Sequence, residues 1–381
     1  MSLQKNKLKF MNIRLFASLT IFFLFLVKIN AQKTDSLKSP NRLKAIVLPI
    51  VFYSPDTKFG GGAAALLTFN FPKDSLHARR SSVTVGAAYT QLNQFLLYFP
   101  FQLFPNNQKY WISGEVGYFK YVFNYFGTGN TLRQDFIEKF DSLYIEKYDA
   151  TFPRVRLNVS KRIGTGLYVG LRYVYDDFKF TKRDPEGNLV KSNVVGANGG
   201  RVSGVGLSVN YDTRDLLFFP SKGWVVEGQL YTEGSYSGSD FSYQRLAVDA
   251  ARYFPVGKNG VLAFNGVISL ATNGIPFHQM PVIGGTKKMR GYFEGTYRDA
   301  NLLMLQSEYR FPVFKRFGGV VFGGLGEVSD RADNWRFDFV RYNLGTGIRF
   351  TMDKAQKINI RADYGIGYKS SGFYLTIGEA F

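Results

Sequence analysis

Apolar and polar residues alternate with period two through most of the chain beyond residue 43, in stretches of about 10 residues. In Lys357–Tyr368, Ile358, Ile360, Ala362, Tyr364, Ile366 and Tyr368 share one face, and Asn359, Arg361, Asp363, Gly365 and Gly367 share the other. Tyr342–Phe350 sets Leu344, Thr346, Ile348 and Phe350 against Asn343, Gly345, Gly347 and Arg349 in the same way. This spacing predicts β-strands with one apolar and one polar face. Sixteen such strands can be placed, the first over 44–53 and the last over 372–381. The turns at 162–166, 255–259, 314–317 and 352–357 are tight, whereas 124–145, 181–200, 273–299 and 330–341 are long. Short turns on one side and long loops on the other match an antiparallel barrel wall with both termini at the short-turn end. A soluble sandwich gives the same alternation with its faces exchanged, so periodicity alone leaves both architectures open.

Three further features favour the membrane barrel. Lys5, Lys7, Lys9 and Arg14 precede an apolar core, Leu15–Val27, and Ala31 offers a small-residue cleavage site. Residues 1–31 therefore read as a secretory signal peptide, with a core too short for the ~20 residues of a membrane helix. Aromatics make up 17% of the chain, a load suited to a lipid interface. The strand length is also that of a tilted strand crossing a bilayer. The predicted organisation is a signal peptide over 1–31, a short periplasmic segment over 32–43, and an all-β, 16-stranded antiparallel transmembrane barrel over 44–381.

Charge and composition narrow the chemistry. The net charge of +19 suits anionic lipid headgroups, and export makes nucleic acid an unsuitable partner. The chain has no cysteine, which excludes disulfides, thiolate metal sites and a cysteine nucleophile. Its two histidines, His77 and His278, have no supporting hydrolase or metal motif, so no enzyme activity, cofactor or metal is expected. His278 reads as a solvated loop residue. Ile283-Gly-Gly-Thr-Lys-Lys288 and Gly60–Gly62 lack phosphate-loop spacing. Glu115, Asp249, Glu308, Arg245 and Arg310 read as a charge network on the inner wall, spread over several strands.

Four motifs remain. Ile283–Tyr292, ending in Met289-Arg290-Gly291-Tyr292, lies between predicted strands 11 and 12. Asn210-Tyr-Asp-Thr-Arg-Asp215, followed by Pro220, Gly223 and Trp224, lies at the turn after strand 8. Gln306-Ser-Glu-Tyr-Arg-Phe-Pro312 closes strand 12, and Arg361-Ala-Asp-Tyr-Gly365 lies in strand 15. In this order the chain resembles the C-terminal barrel of the BamA/TamA outer-membrane assembly superfamily, also called the bacterial surface antigen family, from about residue 44 to 381.

The resemblance implies a bacterial outer-membrane protein that takes part in the insertion, assembly or translocation of proteins; a passive pore or structural barrel is the alternative. It implies that the long loop between strands 11 and 12 folds into the lumen. There Arg290 would pair with an acid of a late strand, Asp363 first and Glu327 second, with Gly291 allowing close approach and Tyr292 packing beside it. Asp212, Arg214 and Asp215 would form the family's turn, with a plain register-fixing turn as the simpler reading. The first and last strands would pair weakly, and Pro49 and Gly378 are the candidate weak points of that seam. Expected partners are outer-membrane lipid and client outer-membrane proteins. Only Gln32–Leu43 separate the cleavage site from strand 1, leaving no room for the family's periplasmic POTRA modules. A barrel-only form is therefore expected, with a separate periplasmic or lipoprotein partner supplying client capture.

Overall fold

The computed structural model describes residues 43–72, 74, 75, 78–130, 146–353 and 357–381. The proposed signal peptide, nearly all of segment 32–43, and His77 lie outside the described residues. In chain order the strands are β1 (Lys44–Ser54), β2 (Lys58–Phe69), β3 (Ser81–Thr90), β4 (Phe95–Leu103), β5 (Tyr110–Tyr125), β6 (Glu146–Gly164), β7 (Leu167–Lys182), β8 (Gly200–Asp212) and β9 (Gly223–Glu233). They continue with β10 (Tyr243–Val256), β11 (Gly260–Ala271), β12 (Val282–Ile283), β13 (Tyr297–Arg298), β14 (Asn301–Phe314), β15 (Phe317–Ser329), β16 (Arg341–Asp353), β17 (Ile358–Gly367) and β18 (Ser370–Ile377).

Sixteen of these close into one barrel in which every pair is antiparallel and each strand lies beside its chain neighbours. The short pair β12–β13 stands apart, within the 272–300 connection, and β11 pairs directly with β14 across that connection. Alternation sets the two faces. On β16, Leu344 and Ile348 are 66% and 61% exposed, while Asn343 and Arg349 are 2% and 3% exposed. The apolar set faces outward, where lipid solvates it, and the polar set faces the interior.

The inner face is not uniform. From β14 to β18 it carries Glu308, Arg310, Asn343, Arg349, Arg361 and Asp363, all buried. On β1–β4 the register aligns Ile50 with Gly62 and Phe52 with Gly60, and then Ala64 with Gly86 and Gly86 with Tyr98. That face holds Ile50, Phe52, Ala64, Leu66, Leu96 and Tyr98, and its charged positions, Lys44 and Lys58, lie at strand starts. The longest strands, β5–β7, extend an aromatic cluster toward the long loops, where Phe123 and Phe152 stack on Tyr148 and Phe178, and these two meet Phe277 of the 272–300 connection.

Closure is uneven. β1 and β2 share eleven register pairs, Lys44↔Thr68 through Ser54↔Lys58, whereas β1 and β18 share one, Tyr53↔Leu375. Pro49 lies within β1, opposite Ala63 of β2. Gly378 is not in the last strand. β18 ends at Ile377, and Gly378 turns away with φ +85° while its N–H donates to the Asn359 carbonyl at 2.8 Å. A left-handed glycine ends the ladder, so it marks the strand's limit and not a soft point within it.

Candidate functional site

The site is built on the 272–300 connection. One guanidinium, that of Arg290, bonds through Nη1 to Asp363 of β17 and through Nη2 to Glu308 of β14. Its carbonyl accepts from Asn343 of β16 at 2.7 Å, and its guanidinium lies 3.6 Å from the ring centre of Phe322 of β15. A single residue touching four consecutive strands must sit on their concave side, inside the barrel. Arg290 is 1% exposed. The planar fork suits the task, because each Nη can serve a carboxylate on a different strand.

Other charges surround it. Arg310 donates to Glu308 at 2.8 Å, Arg361 lies 3.4 Å from Asp363, and Arg349 bonds both Asp363 and Glu379, the latter at 2.8 Å. Four arginines thus share three carboxylates in a buried pocket. Each carboxylate has at least two cationic neighbours, as burial of a charge requires. Arg361 also donates to the Thr286 carbonyl at 2.7 Å, a second tie between wall and connection.

The neighbours of Arg290 fit the wall by backbone and shape. Gly291 has φ +120°, and a Cβ there would meet Gly365 and Ile366 backbone atoms at 2.9 Å. Two glycines, Gly291 and Gly365, therefore let two backbones touch. The Gly291 N–H donates to the Tyr374 hydroxyl at 2.9 Å, which in turn donates to the Tyr292 carbonyl at 3.0 Å. The Tyr292 hydroxyl donates to the Tyr342 carbonyl at 2.7 Å and accepts from the Tyr368 N–H at 2.7 Å. Burial raises the Tyr292 phenol above its ordinary value. Met289 is fully buried, in the cluster with Ile283, Tyr297 and Val328.

Glu327 does not pair with Arg290. On β15 it falls on the alternation set of Val321 and Leu325, opposite to Phe322, so its carboxylate is directed away from the lumen. It accepts instead from the Arg336 N–H at 2.7 Å. Glu308 takes the place that the sequence reading gave to Glu327. The alternation of Glu308 and Arg310 around Tyr309 was the available signal. Glu379, beyond the last strand, had none.

The turn motif forms a separate cluster. Arg214 forks onto Asp212 at 3.0 and 2.9 Å, and Arg79 reaches the same carboxylate at 3.0 Å although β3 and β8 are not neighbours. Asp215 accepts the N–H groups of Ser221 at 2.8 Å and Lys222 at 3.2 Å, which closes the turn. The arrangement fixes backbone and presents no free reactive group.

His278 is buried and not solvated. Its ring stacks on Phe178 at 4.4 Å, and burial pushes its pKa down to about 3, so it stays neutral. At the hairpin between β1 and β2, the Asp56 carboxylate accepts the Glu294 N–H at 3.0 Å. Burial and the neighbouring Glu294 carboxylate push the Asp56 pKa up to about 7. The first hairpin therefore touches the same connection that Arg290 fastens to the far wall. Among the described residues no group of three or more His, Asp or Glu side chains is placed to hold a metal ion.

The sequence matches the Omp85 superfamily domain over residues 80–381. No curated protein matches it by sequence. Among solved structures, the chain is similar to a BamA from Haemophilus ducreyi lacking POTRA domains 1–3, with a TM-score of 0.56 and 13% identity, over 88% of this chain and 70% of that one. It is similar to CdiB from Acinetobacter baumannii, with a TM-score of 0.58 and 15% identity, over 90% of this chain and 60% of that one. CdiB from Escherichia coli gives a TM-score of 0.58 and 11% identity, over 90% of this chain and 64% of that one. The chain thus spans less than two thirds of either CdiB. At these identities the likeness is one of fold.

Proposed function

The chain belongs to the Omp85 superfamily, and from that premise we propose that it inserts or translocates proteins at the bacterial outer membrane, working at the seam between β1 and β18. The observation that carries this reading is the contrast between the single register pair at that seam and the eleven pairs of the next ladder. An edge held by one pair leaves backbone N–H and C=O groups free to template an incoming strand. The connection bearing Arg290 keeps the lumen closed while the edge works. This occupied lumen favours the assembly reading over a passive pore, and superfamily barrels of this kind insert or transport proteins and are not enzymes.

Residues 1–31 direct export and are then removed, 32–43 lie in the periplasm, and 44–381 form the membrane domain. Outer-membrane lipid surrounds the barrel, and a separate periplasmic or lipoprotein partner delivers the clients. Photo-crosslinking probes at Val51 and Phe373 in living cells test this. Nascent outer-membrane proteins trapped at both positions are the expected result. A barrel that yields only crosslinks between its own β1 and β18, together with a large ion conductance that survives Arg290→Ala unchanged, would leave the pore in its place.

A further inference from the structure

The apolar inner wall of β1–β4 borders a cavity of about 650 Å³. Ile50, Phe52, Leu66, Leu96, Tyr98 and Trp111 line it from within. Its size is that of a small-molecule pocket, and apolar lining with a few polar groups is the usual make-up of such sites. A barrel lumen filled only by water has no use for such a wall, since apolar surface facing water is unfavourable.

The cavity borders the barrel seam at one informative place. Val51 and Ile377 belong to its lining, yet both lie on the outward alternation sets of β1 and β18, with Tyr53 and Phe373. They lie two residues beyond Tyr53 and Leu375, the single register pair of the seam. The cavity therefore borders the seam at the point where the pairing of β1 with β18 stops. β1 and β18 bring no charged side chain to this point; Glu227 of β9 is the charged residue in the lining, and Arg361 of the Arg290 pocket bonds the lining residue Thr376 of β18.

We propose that this cavity takes the acyl chain of a membrane lipid, which passes sideways through the gap between Val51 and Ile377. The occupant follows from that position, because the medium on the outer side of the seam is the hydrocarbon of the bilayer. The headgroup stays outside, and the chain lies against Phe52, Leu66 and Leu96. The inference requires a barrel in a membrane and no insertion activity, so it stands or falls separately from the protein-assembly reading.

Trp111 supplies the test, since it faces the cavity and the chain has two other tryptophans, Trp224 and Trp335. The double variant Trp224→Phe/Trp335→Phe leaves Trp111 as the sole indole. This protein is reconstituted in vesicles of phosphatidylcholine with brominated acyl chains, which quench an indole they touch. Loss of most of the Trp111 emission is expected. Adding Val51→Cys and Ile377→Cys to this otherwise cysteine-free chain and oxidising the pair should restore emission, and reductant should remove it again. Because a disulfide at the seam can disturb folding, Ala64→Phe, which fills the cavity from β2, provides a second variant with the same expected recovery. Undiminished emission in brominated lipid overturns the proposal, and so does quenching by aqueous iodide instead, which marks a water-filled space. Quenching that neither variant changes places the bromines outside the wall and overturns it as well.

Discussion

The inner walls of β14–β18 and β1–β4 belong to one barrel and follow one alternation rule, yet they differ in what they hold. The first presents arginines and carboxylates that fasten a connection to it through Arg290, Gly291 and Tyr292. The second is apolar, borders a cavity and ends at a seam with a single register pair. Charged groups can be buried only when their partners are in place, so the first wall specifies one position for the connection. An apolar wall imposes no such demand and tolerates different occupants. The two meet at β18 and β1. The molecule thus places its most specific contacts beside its weakest ladder.

The contrast breaks most readily at Arg290. Arg290→Ala leaves Glu308 and Asp363 buried without their shared partner, and loss of one member of such a set costs about 3–5 kcal/mol. The unfolding temperature, followed by heat-modified gel mobility, should fall and the lumen should begin to conduct. Arg290→Lys should rescue little, because an ammonium has no planar fork to hold acids on two strands.

The pH dependence comes next. Asp56 has a raised pKa, so its contribution to stability is complete below the ordinary carboxylate value of 3.8 and is lost as pH rises through about 7. Between pH 5 and 8 the first hairpin should loosen from Glu294, seen as faster proteolysis of the connection. Asp56→Asn should flatten that profile.

A smaller effect is expected at Tyr374. Its hydroxyl joins the Gly291 N–H to the Tyr292 carbonyl, and Tyr374→Phe leaves the buried Gly291 N–H unpaired, at a cost of about 1–3 kcal/mol, while the Tyr292 carbonyl keeps the Gly285 N–H at 3.1 Å. The unfolding temperature should fall by less than in Arg290→Ala. The smallest change is expected for Glu327→Gln, which weakens the bond to the Arg336 N–H, worth about 1 kcal/mol, and leaves the Arg290 pocket intact. A lumen that opens in Glu327→Gln would contradict the assignment of faces on β15.

Strand positions and faces were legible in the sequence because period-two alternation is local. The faces of Arg361, Asp363, Leu344 and Arg349 follow from it directly. Pairing across the lumen is not local. Arg290 was singled out by its motif, and the structure brings it together with Asp363. Its second acid, Glu308, depends on where the connection crosses the barrel, whereas alternation along β15 sets Glu327 on the face of Val321 and Leu325. His278 was read as solvated because the aromatic cluster that buries it comes from β7 and the loop beyond β11, far apart in sequence. Gly378 was placed inside the last strand because composition does not show where a ladder ends. The apolar inner wall of β1–β4 was not legible in the sequence. Both faces of these strands are apolar, so alternation is faint there and the inner set is identified only by the register.

Hydrogen–deuterium exchange of the reconstituted barrel tests the contrast most directly. The account predicts rapid exchange of β1 amides on the side facing β18, with strong protection of β14–β17 and of the Gly291 N–H, and loss of that Gly291 protection in Arg290→Ala. Protection of the β18-facing amides of β1 equal to that of β15, or an unprotected Gly291 in the unaltered chain, would contradict it.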